Sequence, residues 1–268
     1  MSNEEYTLLT DFIRNKTGLS YDDKKRYYVE KRICDRMRAT KLESFRRYFQ
    51  YLQGDLSGRE LQILLNRLTV NETYFFREYE QLKCFAEEAL PEIIANAGMG
   101  PLRVWSAGCS TGEEAYTLAI ILLEMLGEDG ADFEVHATDI NSEVLLKARL
   151  GVYDERSVRD VPEVYLNRYF TRTGGRYGVD ACLKEKVRFY QVNLKDRQQM
   201  SGMRDFHAIF CRNVLIYFDD MGRREVALYF YESLLPKGFI FLGHSESMSR
   251  ISPVFRVRKF NNAIIYQK

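Results

Sequence analysis

Apolar positions along this chain fall into two rhythms. From residue 1 to about 90 they recur every three or four residues, as in Leu8-Leu9-Phe12-Ile13 and Leu61-Leu64-Leu65-Leu68. That spacing predicts amphipathic helices. Glycine stands only at 18, 54 and 58 here, and no proline precedes Pro91. Asp22 is a candidate N-cap for the helix after Gly18-Leu19-Ser20. After Pro91 short apolar runs alternate with helix-length patterns. LRVWSAG, FEVHATDI, VRFYQVNL, FHAIFCR and GFIFLGH read as strands. Residues 113–126, 142–150 and 219–235 read as helices, the last closed by Pro236 and Gly238. The tail VFRVRKFNNAIIYQK reads as two strands around Asn261-Asn262, giving one antiparallel edge strand.

Strands alternating with helices imply an α/β fold with a doubly wound, mostly parallel sheet. The stretch 151–186 interrupts the alternation with Gly174-Gly175 and Gly178, and predicts a small inserted antiparallel β-subdomain. The expected organisation is an all-helical N-terminal domain over 1–80, a linker over 81–100, and an α/β domain over 101–268 that carries the insertion.

Bulk properties narrow the function. The net charge of +1 gives no global field to attract nucleic acid. The five cysteines, Cys34, Cys84, Cys109, Cys182 and Cys211, are scattered and form no CxxC pair, which argues against a disulfide framework or zinc ribbon. The opening MSNEEYTLLTDF has neither a basic nor an apolar signal region, and AYTLAIILLEML is one core helix long and carries Glu124. No membrane insertion is expected, and a reducing cytoplasm fits. One segment is lopsided: residues 24–47 hold ten basic residues against three acidic. Arg32 and Arg36, four apart, share a helix face. That face is either simply solvated or a docking surface for something acidic.

The chemistry concentrates in VWSAGCSTGEEAY, residues 104–116. A strand breaks into Gly108-x-x-x-Gly112 and then a helix, the way a chain wraps a bound nucleotide. No lysine follows Gly112, so this is not the phosphate loop, and it is not GxGxxG. The next strand ends in Asp139, 27 residues past Gly112. In doubly wound sheets an acid there holds ribose hydroxyls. Glu113 and Glu114 fill the first helical turn, where a pyrophosphate would want bare amides. They are either ordinary helix starters or partners for an ammonium. A ligand with a ribose, an ammonium and no phosphate suits them; S-adenosylmethionine is one, and it stands ahead of a dinucleotide.

NETYFFR (71–77), WSAGCSTGEEAY (105–116), ATDIN (137–141), VNL (192–194), FCRNVLIYF (210–218) and GHSES (243–247) together resemble the chemotaxis receptor methyltransferases, the CheR family, over essentially the whole chain. The resemblance implies a class I methyltransferase fold, Rossmann-like, with a helical N-terminal receptor-docking domain. It implies methyl transfer from S-adenosylmethionine, leaving S-adenosylhomocysteine, to glutamate side chains on the cytoplasmic helices of chemoreceptors. It implies that Asn71, Thr73, Arg77, Glu114, Asp139, Asn193, Leu194, Arg212 and Asn213 line the cofactor site, with Arg77 and Tyr217 near the transferred methyl. Receptor methylation regions are rich in glutamate, which gives Arg32 and Arg36 a docking role; the partner is the chemoreceptor, and a monomer is expected. In one respect the chain departs from the family: the hairpin region TRTGGRYGVDAC is short against members that tether a receptor peptide there.

A glutamate acceptor is already ionised near pH 7, so methyl transfer needs no general base. Catalysis then rests on positioning and partial desolvation. Arg77 can hold a carboxylate by a charge-assisted hydrogen bond, and Tyr217 by its hydroxyl. A buried tyrosine with a satisfied hydroxyl remains the ordinary reading of Tyr217. His136, mid-strand, reads as core, and His207 and His244 form no constellation with it. Two alternatives stay open: a methyltransferase of this fold with another substrate, and a signalling module of the same fold without turnover.

Overall fold

The computed structural model describes residues 1–127 and 131–268. Four helices open the chain: α1 (Asn3–Thr17), α2 (Arg26–Thr40), α3 (Phe45–Gly54) and α4 (Arg59–Leu68). Ser2 caps α1 in a capping box with Glu5, and Asp22 caps the short 3-10 turn that leads into α2. The Asp22 cap lies where the sequence places it.

A buried ion pair ties three of these helices together. The Arg36 guanidinium on α2 donates to both carboxylate oxygens of Glu60 on α4, at 2.9 and 2.8 Å. The Tyr48 hydroxyl on α3 donates to the same carboxylate at 2.8 Å. Glu60 is 3% exposed, so Arg36 is turned inward rather than presented on a docking face. Burial and the Glu60 carboxylate push the Tyr48 phenol up. Arg32 is half-exposed; it stacks 4.4 Å over the Tyr28 ring and donates to the Arg67 carbonyl at 3.2 Å.

The expected linker is helical and buried. α5 (Tyr79–Cys84) runs through a π turn (Phe85–Ala89) into α6 (Leu90–Asn96). Leu82, Cys84, Phe85, Ala89, Leu90 and Ile93 all belong to the core. Phe85 packs edge-on against Phe210 and Phe241, at 5.1 and 5.7 Å between ring centroids. Pro91 marks no boundary because the widened π turn precedes it and it sits in the first turn of α6.

The α/β part contains β1 (Leu102–Ala107), α7 (Glu113–Leu126), β2 (Phe133–Asp139), α8 (Ser142–Leu150), β3 (Val152–Tyr153), β4 (Phe170–Thr173), β5 (Arg176–Val179), β6 (Val187–Gln191), β7 (Phe206–Cys211), β8 (Leu234–Leu242), β9 (Arg256–Lys259) and β10 (Ile264–Gln267). Seven strands form the main sheet in the order β6-β2-β1-β7-β8-β10-β9. β6, β2, β1, β7 and β8 are parallel. The tail folds as a hairpin, but β10 is the strand that runs against the rest, and β9 takes the edge. The insertion is a three-stranded antiparallel sheet, β3-β5-β4. β8 starts at Leu234, earlier than the expected helix end, with a register break opposite Phe206–Ala208 that takes up Pro236.

Two apolar clusters cover the two faces of the sheet. One packs α5–α7 and the inserted unit against Val104, Phe210 and Phe241. The other joins Leu9, Ile13, Tyr48 and Leu64 of the helical domain to Trp105, Phe206 and Phe230. The helical domain therefore shares its core with the sheet. His136 is 7% exposed, bonds to Glu134 at 3.1 Å and packs on Phe206, which makes it a core residue.

Removing Glu60 would strand a buried guanidinium and leave the Tyr48 hydroxyl without its acceptor. Glu60→Ala is expected to lower stability by about 3 kcal/mol or more, read from the denaturation midpoint at constant slope.

Candidate active site

A cavity of about 490 Å³ opens at the carboxyl ends of β6, β2, β1 and β7. That is where parallel doubly wound sheets hold ligands. Asn71, Thr73, Arg77, Glu114, Asp139, Asn193, Leu194, Arg212, Asn213 and Tyr217 all line it. Arg32 and Arg36 do not.

The glycine loop is shaped by close approach. Gly108 has φ +88°, and a Cβ there would lie 2.4 Å from Val214 Cγ2. Only glycine allows both the turn and the contact. The loop amides are already committed. Gly108 and Cys109 donate to the Thr138 carbonyl, Ser110 to Asp139, and Gly112 to the Cys109 carbonyl. A phosphate would find these donors occupied. Asp139 accepts from the Ser110 and Asn141 amides, each at 2.9 Å, one on each oxygen. Each oxygen keeps a lone pair for a ribose hydroxyl. Burial pushes this carboxyl above its ordinary range, while the two amides pull it back. The Cys109 and Cys211 thiols are raised well above the usual range by burial, which unfits them as nucleophiles.

The two glutamates after Gly112 part company. Glu113 faces away from the cavity and bonds to the Thr111 hydroxyl at 2.6 Å and the Ser157 hydroxyl at 3.3 Å. Glu114 faces the cavity, accepts from Ser106 Oγ at 2.6 Å and pairs with Arg212 at 3.2 Å. Burial raises its pKa, and Arg212 is the largest opposing influence. Its carboxylate is thus shared with a protein cation rather than held free for an ammonium. Arg212 also pairs with Glu78 at 3.2 Å and donates to the Arg77 carbonyl. Its side chain is 3% exposed, and this network fixes segment 71–78 against the sheet.

The helical domain forms the opposite wall. Thr17, Leu19, Tyr21, Lys24 and Lys25 line the cavity, and sequence reasoning missed all five as site residues. Their composition carries no motif; only the position of Gly18, ending α1 beside the site, marks them. The Ser20 amide donates to the Tyr217 carbonyl at 2.8 Å, and Asn193 Nδ2 to the Lys16 carbonyl at 2.8 Å. Tyr217 is half-buried, and Lys25 Nζ lies 5.2 Å from its ring centroid. Burial raises the Tyr217 phenol, and nearby Arg77 lowers it. Arg77, Lys25 and Lys24 outnumber the exposed Glu72 at this end of the cavity, which leaves its mouth net cationic. Among the described residues Asn213 Oδ1 has no hydrogen-bond donor, and the atom is closed off from solvent.

The chain is similar to known proteins over nearly its whole length. Residues 71–264 match the family described as CheR methyltransferase, SAM binding domain, and residues 4–69 its all-alpha domain. The chain is 43% identical to Chemotaxis protein methyltransferase 2 of Vibrio cholerae over 100% of this chain and 94% of that one. It is 38% identical to the chemotaxis protein methyltransferase of Salmonella typhimurium, over 96% of this chain and 88% of that one. The Escherichia coli protein of that name is 36% identical, over 96% and 89%.

S-adenosylmethionine fits the committed loop amides and the Asp139 carboxylate. Asp139→Ala is expected to weaken binding of S-adenosylmethionine and S-adenosylhomocysteine by about 1–3 kcal/mol in calorimetry. NAD should bind neither form measurably.

Proposed function

The chain belongs to the CheR methyltransferase family, and we propose that it methylates glutamate side chains on chemoreceptor cytoplasmic helices, forming methyl esters for chemotactic adaptation. The observation that carries this reading is the cationic mouth. Arg77, Lys24 and Lys25 line the same cavity as Asp139 and Asn213, so a carboxylate entering from solvent meets positive charge at the cofactor's edge. On this reading the protein is a cytoplasmic monomer. Among the described residues no helix is long and apolar enough to cross a membrane, so the receptor's cytoplasmic part must come to the enzyme.

When bound, S-adenosylmethionine supplies an electrophilic methyl on a sulfonium. The protein's task is to bring a carboxylate oxygen in line with it. Arg77 can donate to one carboxylate oxygen, and the Tyr217 hydroxyl to the other or to the methyl's surroundings. Neither need move a proton. The carboxylate oxygen forms the ester bond as the bond from methyl to sulfur breaks, and the electron pair stays on sulfur. Asp139, Asn213 and Glu114 act on the cofactor side, and the ion pair of Glu114 with Arg212 keeps that wall rigid. Closing the mouth would exclude water from the carboxylate and sharpen its attack.

Receptor recognition falls to α2. Arg36 is held by Glu60, which leaves half-exposed Arg32, with exposed Lys24, Lys31 and Arg38, as the cations an acidic helix bundle would meet. Such a surface acts on encounter rate and register.

Tyr217→Phe is expected to lower kcat by about tenfold or more while changing cofactor affinity little, in a tritium-transfer assay with receptor membranes and base-labile methanol release. Full activity in that variant would make the tyrosine a core residue. Arg32→Glu should leave cofactor affinity unchanged. It should slow methylation of whole receptor at low salt, with the difference from wild type shrinking as salt is added, since exposed pairs are screened over about 10 Å at 0.1 M. A normal low-salt rate would move recognition to the inserted hairpin around Gly174, Gly175 and Gly178.

A further inference from the structure

The motif GHSES lies after β8, outside every role assigned above. Its glutamate is nonetheless the most heavily hydrogen-bonded acid near the cavity. Glu246 Oε2 accepts from the Asn213 amide at 2.8 Å and the Gly243 amide at 2.9 Å. Glu246 Oε1 accepts from the Ile216 amide at 3.1 Å. One carboxylate thus gathers backbone donors from two separate turns, the second being the turn that carries the site residues after β7.

That turn would not hold itself. Asn213 has φ +59°, a left-handed conformation that a side-chain-bearing residue adopts at a cost. Its amide points out of the β7 ladder and needs an acceptor. All of the residues that follow but Leu215, which is buried in the core, are tied to the site. Val214 packs on Gly108, while Asn213, Ile216 and Tyr217 line the cavity. The approach of Glu246 is itself built in. A Cβ on Gly243 would lie 2.7 Å from Asn213 Nδ2, 2.8 Å from its amide nitrogen and 2.9 Å from Glu246 Oε2. Glycine at 243 is what lets the carboxylate reach across.

We propose that Glu246 is a positioning residue for methyl transfer. Its carboxylate clamps the turn 213–217, so that Asn213 faces the cofactor while Tyr217 stands at the acceptor end. The proposal rests on the reading of the cavity as a methyl-transfer site. The charge matters as well as the shape. A carboxylate offers acceptors on both oxygens, whereas an amide in its place would turn an NH₂ towards one set of backbone donors. Burial raises the Glu246 carboxyl, and the converging amides pull it down, which is the electrostatic signature of an acid held to receive N–H groups.

Glu246→Gln and Glu246→Asp, each alone and with Tyr217→Phe, test this. Hydrogen exchange needs no methyl acceptor. The amides of 213, 216 and 243 should exchange at least about tenfold faster in the Gln variant, with β1, β2 and β7 unchanged. In receptor methylation kcat should fall about tenfold or more, with the KM for S-adenosylmethionine moving only a few-fold. The double variant with Tyr217→Phe should be no slower than the slower single variant, because both act through one turn. The Asp variant, a methylene shorter but charged, should recover part of the loss, and it carries the test if the Gln variant does not fold. Unchanged exchange, or losses in rate that multiply, would overturn the clamp. A wild type with protected 213–217 amides that methylates no receptor would sink the functional reading instead, and the clamp would stand on the exchange result.

Discussion

The structure depends on one buried cation. Arg212 leaves the end of β7 with 3% of its side chain exposed and is met by Glu114 from α7 and Glu78 from the entry to α5. A guanidinium so placed must be paired, because stripping its hydration without partners would cost more than the fold can supply. Its fork is filled from two directions, with the Arg77 carbonyl as a third acceptor. The irregular segment that bears Asn71 to Arg77 is tied to the sheet there, in addition to the burial of Phe75 and Phe76 in the core.

The same constraint explains why the site is not confined to the α/β domain. Segment 71–78 continues directly from α4, whose last carbonyls accept from α2. The Tyr28 hydroxyl reaches Arg67 and Leu68, the Tyr21 hydroxyl reaches Leu68, and Arg32 reaches Arg67. On the other side, Gln62 and Asn66 of α4 bond to Ile140 and Ser142, just past Asp139. The cofactor wall is therefore braced by the helical domain both before and after the glycine loop.

Much of this was legible in the sequence, and what was not has a common cause. The α7 and α8 boundaries, the strand ends bearing Asp139 and Arg212-Asn213, and the inserted unit follow from local period and punctuation. The mostly parallel sheet follows from their alternation. Failures came where a distant partner decides. Arg36 shares a face with Arg32, yet Glu60, 24 residues on, draws it inward. Pro91 looks like a boundary, but a π turn absorbs it within a helix that the sheet needs for cover. The tail's hairpin is readable; which of its strands takes the place beside β8 is not, since both alternate equally well. Lys25 and Tyr21 carry no motif, and their place in the cavity depends on how two cores fuse.

The kind of chemistry proposed accounts for the character of the site. A reaction that moves no proton has no use for a histidine poised near neutrality, and none is found among the cavity's lining residues. What it requires is fixed distance between an acceptor oxygen and a methyl group, at a tolerance of a fraction of an ångström. The site meets that requirement with carboxylates held in place by protein donors. Asp139 binds two amides, Glu114 an arginine and a serine, and Glu246 three amides. All three are raised by burial; backbone amides draw Asp139 and Glu246 back, and the Arg212 and Ser106 side chains draw Glu114 back. Acids arranged in this way resist reorganisation when charge shifts beside them, because their dipolar partners are already oriented. In this cavity, then, the ionisable groups serve as fixed points for the geometry, and the reactive charge is left to the two molecules that meet there.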